Sequence, residues 1–268
     1  METIINTLSI LNNEELASLK LLMDMCDGYE PYYTKIADPS IIMFTASVNN
    51  KLVGFFSLLL TNEDETAEVT ALIHPNYRRM GLFSTLRRTA SQWLANSLDY
   101  SHFSMIGSIP HSLASSGFPY SKTPAFTEYM LKLTCNSYKL SSSSYDASPY
   151  ANSGMLPCGI DVSQCEFGFS QDETAYFMYA DEAASEPCAL LNLSAETTFS
   201  NIYGVWVDEN LRGNGIGTLL MQAFLEDYFE DSSALPLVLN VRDTNTAAFK
   251  LYKKCGFTEV SHISYYTL

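Results

Sequence analysis

The 268-residue chain has few basic residues and no metal-binding pattern. Its 15 Lys and Arg are outnumbered by 30 Asp and Glu, which gives a net charge of -15. Nucleic acid binding depends on clustered basic side chains, so this balance argues against a nucleic acid partner. The six cysteines form no C-x-x-C pair, and neither they nor the four histidines are spaced as zinc ligands. We therefore expect reduced thiols and no metal.

The chain also lacks a long hydrophobic run. No apolar stretch approaches the roughly 18 residues of a membrane span, and the N-terminal sequence METIINTLSILNNEEL has no basic region that would open a signal peptide. Hydrophobic residues still make up 47% of the chain, enough for packed cores. We expect a globular, cytoplasmic protein without a membrane partner, folded as one large domain or as two of about 130 residues.

The stretch VWVDENLRGNGIGTLL, from Val205 to Leu220, predicts a strand, a tight glycine loop and the start of a helix. Val205 to Val207 are strand formers, and apolar residues recur every four positions from Ile216 onward. The glycines between them fall where a helix leaves backbone N-H groups unpaired and its dipole is positive. A phosphate or pyrophosphate could therefore approach the bare main chain.

The spacing of these glycines excludes two common nucleotide-binding loops. A P-loop ends in GK[ST], which is absent, and a dinucleotide-binding GxGxxG loop directly follows its strand. Here Gly217 comes one residue early, and five residues separate the loop from the strand. The pattern R-x-x-G-x-G from Arg212 to Gly217 instead resembles the coenzyme A loop of the GNAT N-acetyltransferase superfamily.

The resemblance continues downstream and covers roughly the last 90 residues closely. LVLNV, from Leu237 to Val241, is similar to the next strand of that fold, and NTAAFKLYKKCGF, from Asn245 to Phe257, to its next helix. It implies that acetyl-CoA binds as a co-substrate, with its pantetheine arm between two separated strands. Local groups must hold the coenzyme, because the acidic chain repels it. The implied cofactor-binding residues are Val205, Val207, Arg212, Gly213, Asn214, Gly215, Ile216, Gly217, Thr218 and Asn245.

The resemblance also implies a catalytic role for Tyr252. The tyrosine of this signature protonates the departing thiolate, a role that suits a phenol within hydrogen-bond reach of sulfur. The alternative is that Tyr252 packs in the core beside Phe249. Asn245 similarly could bind the amide arm of the coenzyme or cap its helix.

The general base stays unassigned. Family members often carry a glutamate on the strand before the loop, and a gapless internal alignment places Ile202 there. Glu196 and Glu209 are close in sequence, but carboxylates in such loops are usually solvated, so a water relay is an equal alternative.

An internal repeat at an offset of 134 residues predicts two copies of one unit. RRMGLF, from Arg78 to Phe83, aligns with RGNGIG, from Arg212 to Gly217, and Glu68 aligns with Ile202. The first copy departs from the motif, because Phe83 replaces the third glycine and Leu113 replaces Tyr252. GF at 117–118 corresponds to GF at 256–257. FTEYMLKL is expected to form the last strand and so close the first copy.

These observations predict an α/β fold with two tandem GNAT-like domains, each a mixed, mainly antiparallel sheet flanked by helices. We expect a degenerate domain at 1–135, a linker rich in Ser, Asn and Pro at 136–156, and a catalytic domain at 157–268. The implied activity moves acetyl from acetyl-CoA to a primary amine of a small molecule or peptide by direct attack. A coenzyme A-binding regulatory module, and an acyltransferase that uses another acyl chain or a thiol acceptor, stay open. The protein is expected to be a monomer with an internal pseudo-dimer or a homodimer.

Overall fold

The computed structural model describes residues 3–8, 12–26, 40–62, 65–108, 123–142 and 154–268. Within the chain, two compact units can be distinguished. Unit 1 consists of Met1–Ala125 together with Ser264–Leu268, and unit 2 consists of Phe126–Ile263.

The sheet of unit 1 places its strands side by side in chain order. All neighbours are antiparallel except the fourth and fifth strands, which are parallel. The end of the last strand of the chain, β12 (Thr258–Thr267), pairs with the fifth strand and completes the sheet. The strands are β1 (Thr3–Leu8), β2 (Ile41–Val48), β3 (Lys51–Thr61), β4 (Thr66–Ile73) and β5 (Ser104–Ser108).

Two helices cover the two faces of this sheet. Helix α1 (Asn13–Asp24) starts at a capping box and packs against the face that carries Phe55. Helix α2 (Leu82–Asn96) packs against the face that carries Phe56. Adjacent residues of a strand point to opposite faces, so the helices lie on opposite sides. The predicted hairpin turn is present, and Asn49 and Asn50 both adopt positive φ.

The sheet of unit 2 has the order β7-β8-β9-β10-β11-β6, and the first part of β12 follows β6. β10 and β11 are parallel, whereas β7–β8, β8–β9, β9–β10 and β6–β11 are antiparallel. The strands are β6 (Phe126–Leu133), β7 (Glu166–Phe169), β8 (Ala175–Tyr179), β9 (Ala189–Ala195), β10 (Ser200–Val207) and β11 (Leu237–Arg242). FTEYMLKL was expected to close the first copy, yet as β6 it belongs to unit 2 and pairs with β11.

The described helices of unit 2 are α3 (Cys135–Ser142), α4 (Ile216–Tyr228) and α5 (Thr246–Lys254). All three contribute to one core, which contains Leu191 and Leu239 from the sheet. Helix α3 occupies the start of the expected linker, and residues 143–153 lie outside the described part of the chain. None of the helices in the described ranges has both the length and the apolar character needed to cross a membrane.

The predicted fold class is confirmed. Each unit is a mixed, mainly antiparallel sheet with helices packed on it.

Candidate active site

The site begins where two parallel strands separate. β10 pairs with β11 only through Ser200 with Leu237 and Asn201 with Val238. From Ile202 to Val207, β10 has no pairing with β11. This is the separation expected from the sequence, and it leaves backbone groups to which an extended ligand could add as a strand would.

A β-bulge lies in the separated part of β10. The register with β9 shifts between Tyr203 and Trp206. Gly204 within the bulge has φ +58°, and a Cβ there would lie 2.6 Å from Asn192 Nδ2. The bulge thus requires glycine, both for its dihedral angle and for the approach of the Asn192 carboxamide. The sequence prediction missed it, although a glycine inside a strand pattern is its usual signal.

The glycine loop forms a cradle of free amides at the start of α4. Gly213 has φ +80° and Gly215 has φ +90°. Among the described residues, none accepts a hydrogen bond from the backbone N-H groups of 213–217, while Thr218 N-H donates to Gly215 O at 3.0 Å. Asn214 Nδ2 holds the loop by donating to two carbonyl oxygens, each at 3.1 Å. The helix dipole adds a partial positive charge here, so the residues present fit a phosphate group.

Arg212 ties this loop to the strand before it. Its Nε donates to Val207 O at 3.0 Å, and its Nη1 lies 3.6 Å from Glu209 Oε1. Asp208 Oδ1 accepts a hydrogen bond from Asn210 N-H at 2.8 Å and shapes the turn between β10 and the glycine loop. The guanidinium is more than half exposed, so it remains accessible to an anion while it positions the loop.

The strand end, the loop and α5 come together around Gly217. A Cβ at this position would lie 3.5 Å from Leu251 Cδ2 and 3.6 Å from Val207 Cγ2, which are ordinary contact distances. Ile216 is buried in the core, and Val205 is half-buried within the bulge. The sequence-predicted residues of strand, loop and helix are therefore assembled at one place.

Tyr252 lies on α5, one residue after Leu251, and is 6% exposed. Its ring meets Phe257 edge-on at a centroid distance of 5.9 Å. Burial, and next the Cys255 thiol, raise the pKa of its hydroxyl to about 12. Within the described part of the chain, the hydroxyl makes no hydrogen bond. The hydroxyl is therefore a protonated donor without an acceptor among the residues that the structure describes.

Asn245 caps α5. Its Oδ1 accepts from Ala248 N-H at 3.2 Å, which is the structural role that the sequence left as the alternative. The side-chain NH2 group stays available, because Asn245 is exposed.

The twin loop in unit 1 has nearly the same backbone. Arg78 Nε donates to Ile73 O at 3.1 Å, and Arg79 and Gly81 adopt positive φ as Gly213 and Gly215 do. Phe83, which replaces the third glycine, packs against the core cluster of unit 1, and its ring centroid lies 5.7 Å from that of Phe56. Leu113, Gly117 and Phe118 lie outside the described residues, so the comparison of Leu113 with Tyr252 stays a prediction.

The bulge changes which residue corresponds to Glu68. Glu68 pairs with Leu59 of β3, and the matching pair in unit 2 is Asn201 with Ser194. The gapless alignment with Ile202 was wrong by one residue upstream of the bulge, because the bulge puts one extra residue of β10 opposite β9, which β4 does not have opposite β3. The corresponding side chain is an amide, which cannot serve as a base.

The two carboxylates named as bases are poorly placed. Glu196 lies in the turn before β10, roughly 25 Å along the strand from the glycine loop. Glu209 is in the loop and pairs with Arg212. The base therefore stays unassigned. Among the described residues, no group of three or more His, Cys, Asp or Glu could hold a metal ion.

Comparison with known proteins fits this geometry. The model of the acetyltransferase (GNAT) family matches residues 14–116 and 144–257. The chain belongs to this family. Two separate matches also confirm that it is a tandem GNAT protein.

Relatives of the family share parts of the sequence or the fold. An N-alpha-acetyltransferase from Sulfurisphaera tokodaii is 39% identical over 66 residues, which are 25% of this chain and 40% of that relative. A tandem GNAT protein from the clavulanic acid biosynthesis pathway is 16% identical, with a TM-score of 0.59 over 100% of this chain and 98% of the other. A GCN5-related N-acetyltransferase from Sphaerobacter thermophilus gives 13% identity and a TM-score of 0.56, covering 98% and 94%. The structural likenesses show the GNAT fold.

Proposed function

We propose that unit 2 is an N-acetyltransferase that moves acetyl from acetyl-CoA to a primary amine of a small molecule or peptide. One observation carries this proposal: the free amides of 213–217 start α4 directly beside the separated strands β10 and β11. The loop would hold the pyrophosphate, and the exposed edge of β10 would hold the pantetheine arm. Arg212 and Asn245 are exposed polar groups next to this path.

The chemistry is a direct attack of the amine nitrogen on the thioester carbonyl. The new C-N bond forms as the C-S bond breaks, and the thiolate leaves with the electron pair of that bond. Tyr252 would donate its proton to the sulfur, because its hydroxyl is protonated at neutral pH and has no acceptor among the described residues. The proton lost by the amine passes to solvent water, and solvent water returns a proton to the Tyr252 phenolate.

The proposed class of acceptor is supported by a relative with a similar sequence. The sequence match to a protein named N-alpha-acetyltransferase supports an amine acceptor and favours an α-amino group within that class. The match covers only 40% of that relative, so the acceptor is proposed at the level of primary amines.

The decisive measurement is release of free coenzyme A from acetyl-CoA with a panel of amines, amino acids, peptides and thiols. We expect turnover with at least one primary amine and none with thiols alone. Turnover only with a thiol, or only with a longer acyl-CoA, would replace the proposal by one of the two acyltransferase alternatives. Saturable coenzyme binding with no turnover across the panel would favour a regulatory module.

A further inference from the structure

The face of unit 2 beside the bulge carries two exposed aromatic rings. Tyr203 is 50% exposed and Trp206 is 40% exposed. Tyr203 pairs with Asn192 and Trp206 pairs with Leu190, and these two partners are two residues apart on β9. Paired residues share a face, as do residues two apart on a strand. Both rings therefore lie on one face, at the separated part of β10.

This face has no helix of its own among the described residues. The three described helices of unit 2 all join the core with Leu191 and Leu193, which point to the opposite face. Neither ring stacks on another ring, and neither side chain makes a hydrogen bond, within the described part of the chain. The two rings are therefore free to contact a ligand.

Unit 1 provides an internal comparison. The pair Phe55 with Leu72 corresponds in register to Leu190 with Trp206. Leu72 is only 4% exposed, because it packs in the cluster formed with Leu19 and Leu22 of α1. The position that holds an exposed tryptophan in unit 2 thus holds a leucine buried under a helix in unit 1.

Next to the bulge, the side chains on this face are mainly apolar. The row Trp206, Leu190 and Phe177 crosses three strands and contains no charged residue. In the next row, Tyr203 pairs with Asn192, whose carboxamide lies over Gly204 and has no hydrogen-bond partner among the described residues. Such a surface favours a flat apolar group, while the charged residues Glu128 and Arg242 on the same face of unit 2 pair with each other across β6 and β11.

We propose that Trp206, Tyr203 and Asn192 form the acceptor subsite, and that it takes a primary amine with a flat, apolar body, such as an arylalkylamine. The two rings pack on the body, and the Asn192 carboxamide oxygen accepts a hydrogen bond from the amine at the bulge. This inference rests on the proposed acetyl transfer for its reaction, but its recognition step can be measured separately.

The first test compares 2-phenylethylamine with ethylamine. In the unmodified protein, kcat/KM for the aryl amine should exceed that for ethylamine, and Trp206→Ala should reduce the ratio roughly 10- to 100-fold through lost ring contact. Comparing ratios between variants cancels the difference in amine basicity. Val260→Ala, which trims an exposed apolar side chain on β12, is the matched control and should keep the ratio.

The second test needs no turnover. The chain has two tryptophans, so Trp93→Phe leaves Trp206 as the sole one. With coenzyme A present, 2-phenylethylamine should change the Trp206 fluorescence in a saturable way, and ethylamine should not at the same concentrations. Asn192→Ala should weaken that saturation, because it removes the group that orients the amine.

The two tests separate the two proposals. Saturable fluorescence without acetyl transfer to any amine supports the subsite and overturns the proposed function. Acetyl transfer with flat fluorescence, or with an aryl preference that Trp206→Ala leaves unchanged, overturns the subsite and retains the function. If Trp206→Ala fails to fold, Trp206→Leu and Tyr203→Ala replace it with the same expected loss of preference.

Discussion

Tyr252 combines burial with a hydroxyl that has no protein partner in the described part of the chain. In the same core, the buried Tyr176 and the half-buried Tyr228 each have a hydrogen-bond partner. Tyr176 donates to Asp227 Oδ2, and Tyr228 donates to Ser200 Oγ at 2.8 Å. A buried donor left without an acceptor costs free energy unless water or a ligand receives it. We interpret this difference as support for the acid role of Tyr252 over simple packing.

We predict that Tyr252→Phe lowers kcat by roughly 10² to 10⁴ while folding and acetyl-CoA affinity change little. The substitution keeps the ring and its contact with Phe257 but removes the proton donor. Steady-state rates, calorimetric affinity and the melting temperature should be measured on the same sample. Near-normal turnover would contradict the acid role and leave Tyr252 with a packing role only.

The raised pKa of Tyr252 also predicts a pH effect on stability. Burial raises this pKa from its ordinary value of 10 to about 12, so the unfolded phenol ionises first. The stabilisation is complete below pH 10 and is lost as the pH rises from 10 to about 12. Tyr252→Phe should lack this component, worth roughly 3 kcal/mol. Urea unfolding at several alkaline pH values checks this prediction. An identical dependence of the unfolding free energy on pH in both proteins would contradict it.

Two short segments shape the site, the bulge in β10 and the glycine loop before α4. Both depend on positive φ angles, at Gly204 in the bulge and at Gly213 and Gly215 in the loop. The bulge shifts the alternation of side chains along β10, and the loop leaves backbone amides exposed. Their function therefore lies in backbone conformation more than in side-chain chemistry.

We predict that Gly204→Ala destabilises the protein by about 1 to 2 kcal/mol, because an L-residue is strained at φ +58° and its Cβ would displace Asn192. The measurement is denaturant unfolding. Gly168→Ala on β7 is the matched control, since its Cβ would meet nothing within 4 Å and its φ is not positive. Equal stability of the two variants would show that the bulge does not depend on glycine.

We predict one acetyl-CoA site per chain, in unit 2. Gly215→Trp should abolish binding, because the ring would fill the space over the free amides. Gly81→Trp should leave it intact, although Gly81 has a similar φ of +79° and so carries a similar backbone strain. Isothermal titration calorimetry counts the sites. A stoichiometry of two, or the reverse response of the two variants, would show that unit 1 binds the coenzyme.

The chain as a whole does not divide at a single point between its two units. Strand β12 starts in unit 2, and its last residues, Ser264–Leu268, belong to unit 1. There Leu268 N-H donates to Met105 O at 3.0 Å, and its side chain packs against Gly107. Unit 1 is thus completed by residues from the opposite end of the sequence.

Deletion of 264–268 should therefore destabilise unit 1, because β5 loses its hydrogen-bonded neighbour and becomes an edge strand. Hydrogen exchange of the β5 amides should accelerate. Leu268→Ala, which keeps the backbone pairing, should cost only about 1 to 2 kcal/mol and leave most of the protection. Unchanged protection in the deletion variant would contradict the assignment of these residues to unit 1.

Much of this protein could be predicted from its sequence, where the determining interactions are local. The cap of α1 at Asn12, the hairpin turn at Asn49 and Asn50, and the loop from Arg212 to Gly217 all follow from residue types at fixed spacing. The two-copy organisation follows for the same reason, since each copy repeats the pattern. The two-copy organisation was predicted from the repeat and is confirmed.

Strand pairing and its register were decided only by the tertiary structure. The partner of a strand is chosen by long-range packing, so FTEYMLKL joined β11 rather than the copy that precedes it in sequence. One added residue at Gly204 shifted the correspondence of Glu68 from Ile202 to Asn201. A slip of one residue turns every side chain to the other face, which is why the exposed pair Tyr203 and Trp206 could not be predicted from periodicity along the chain.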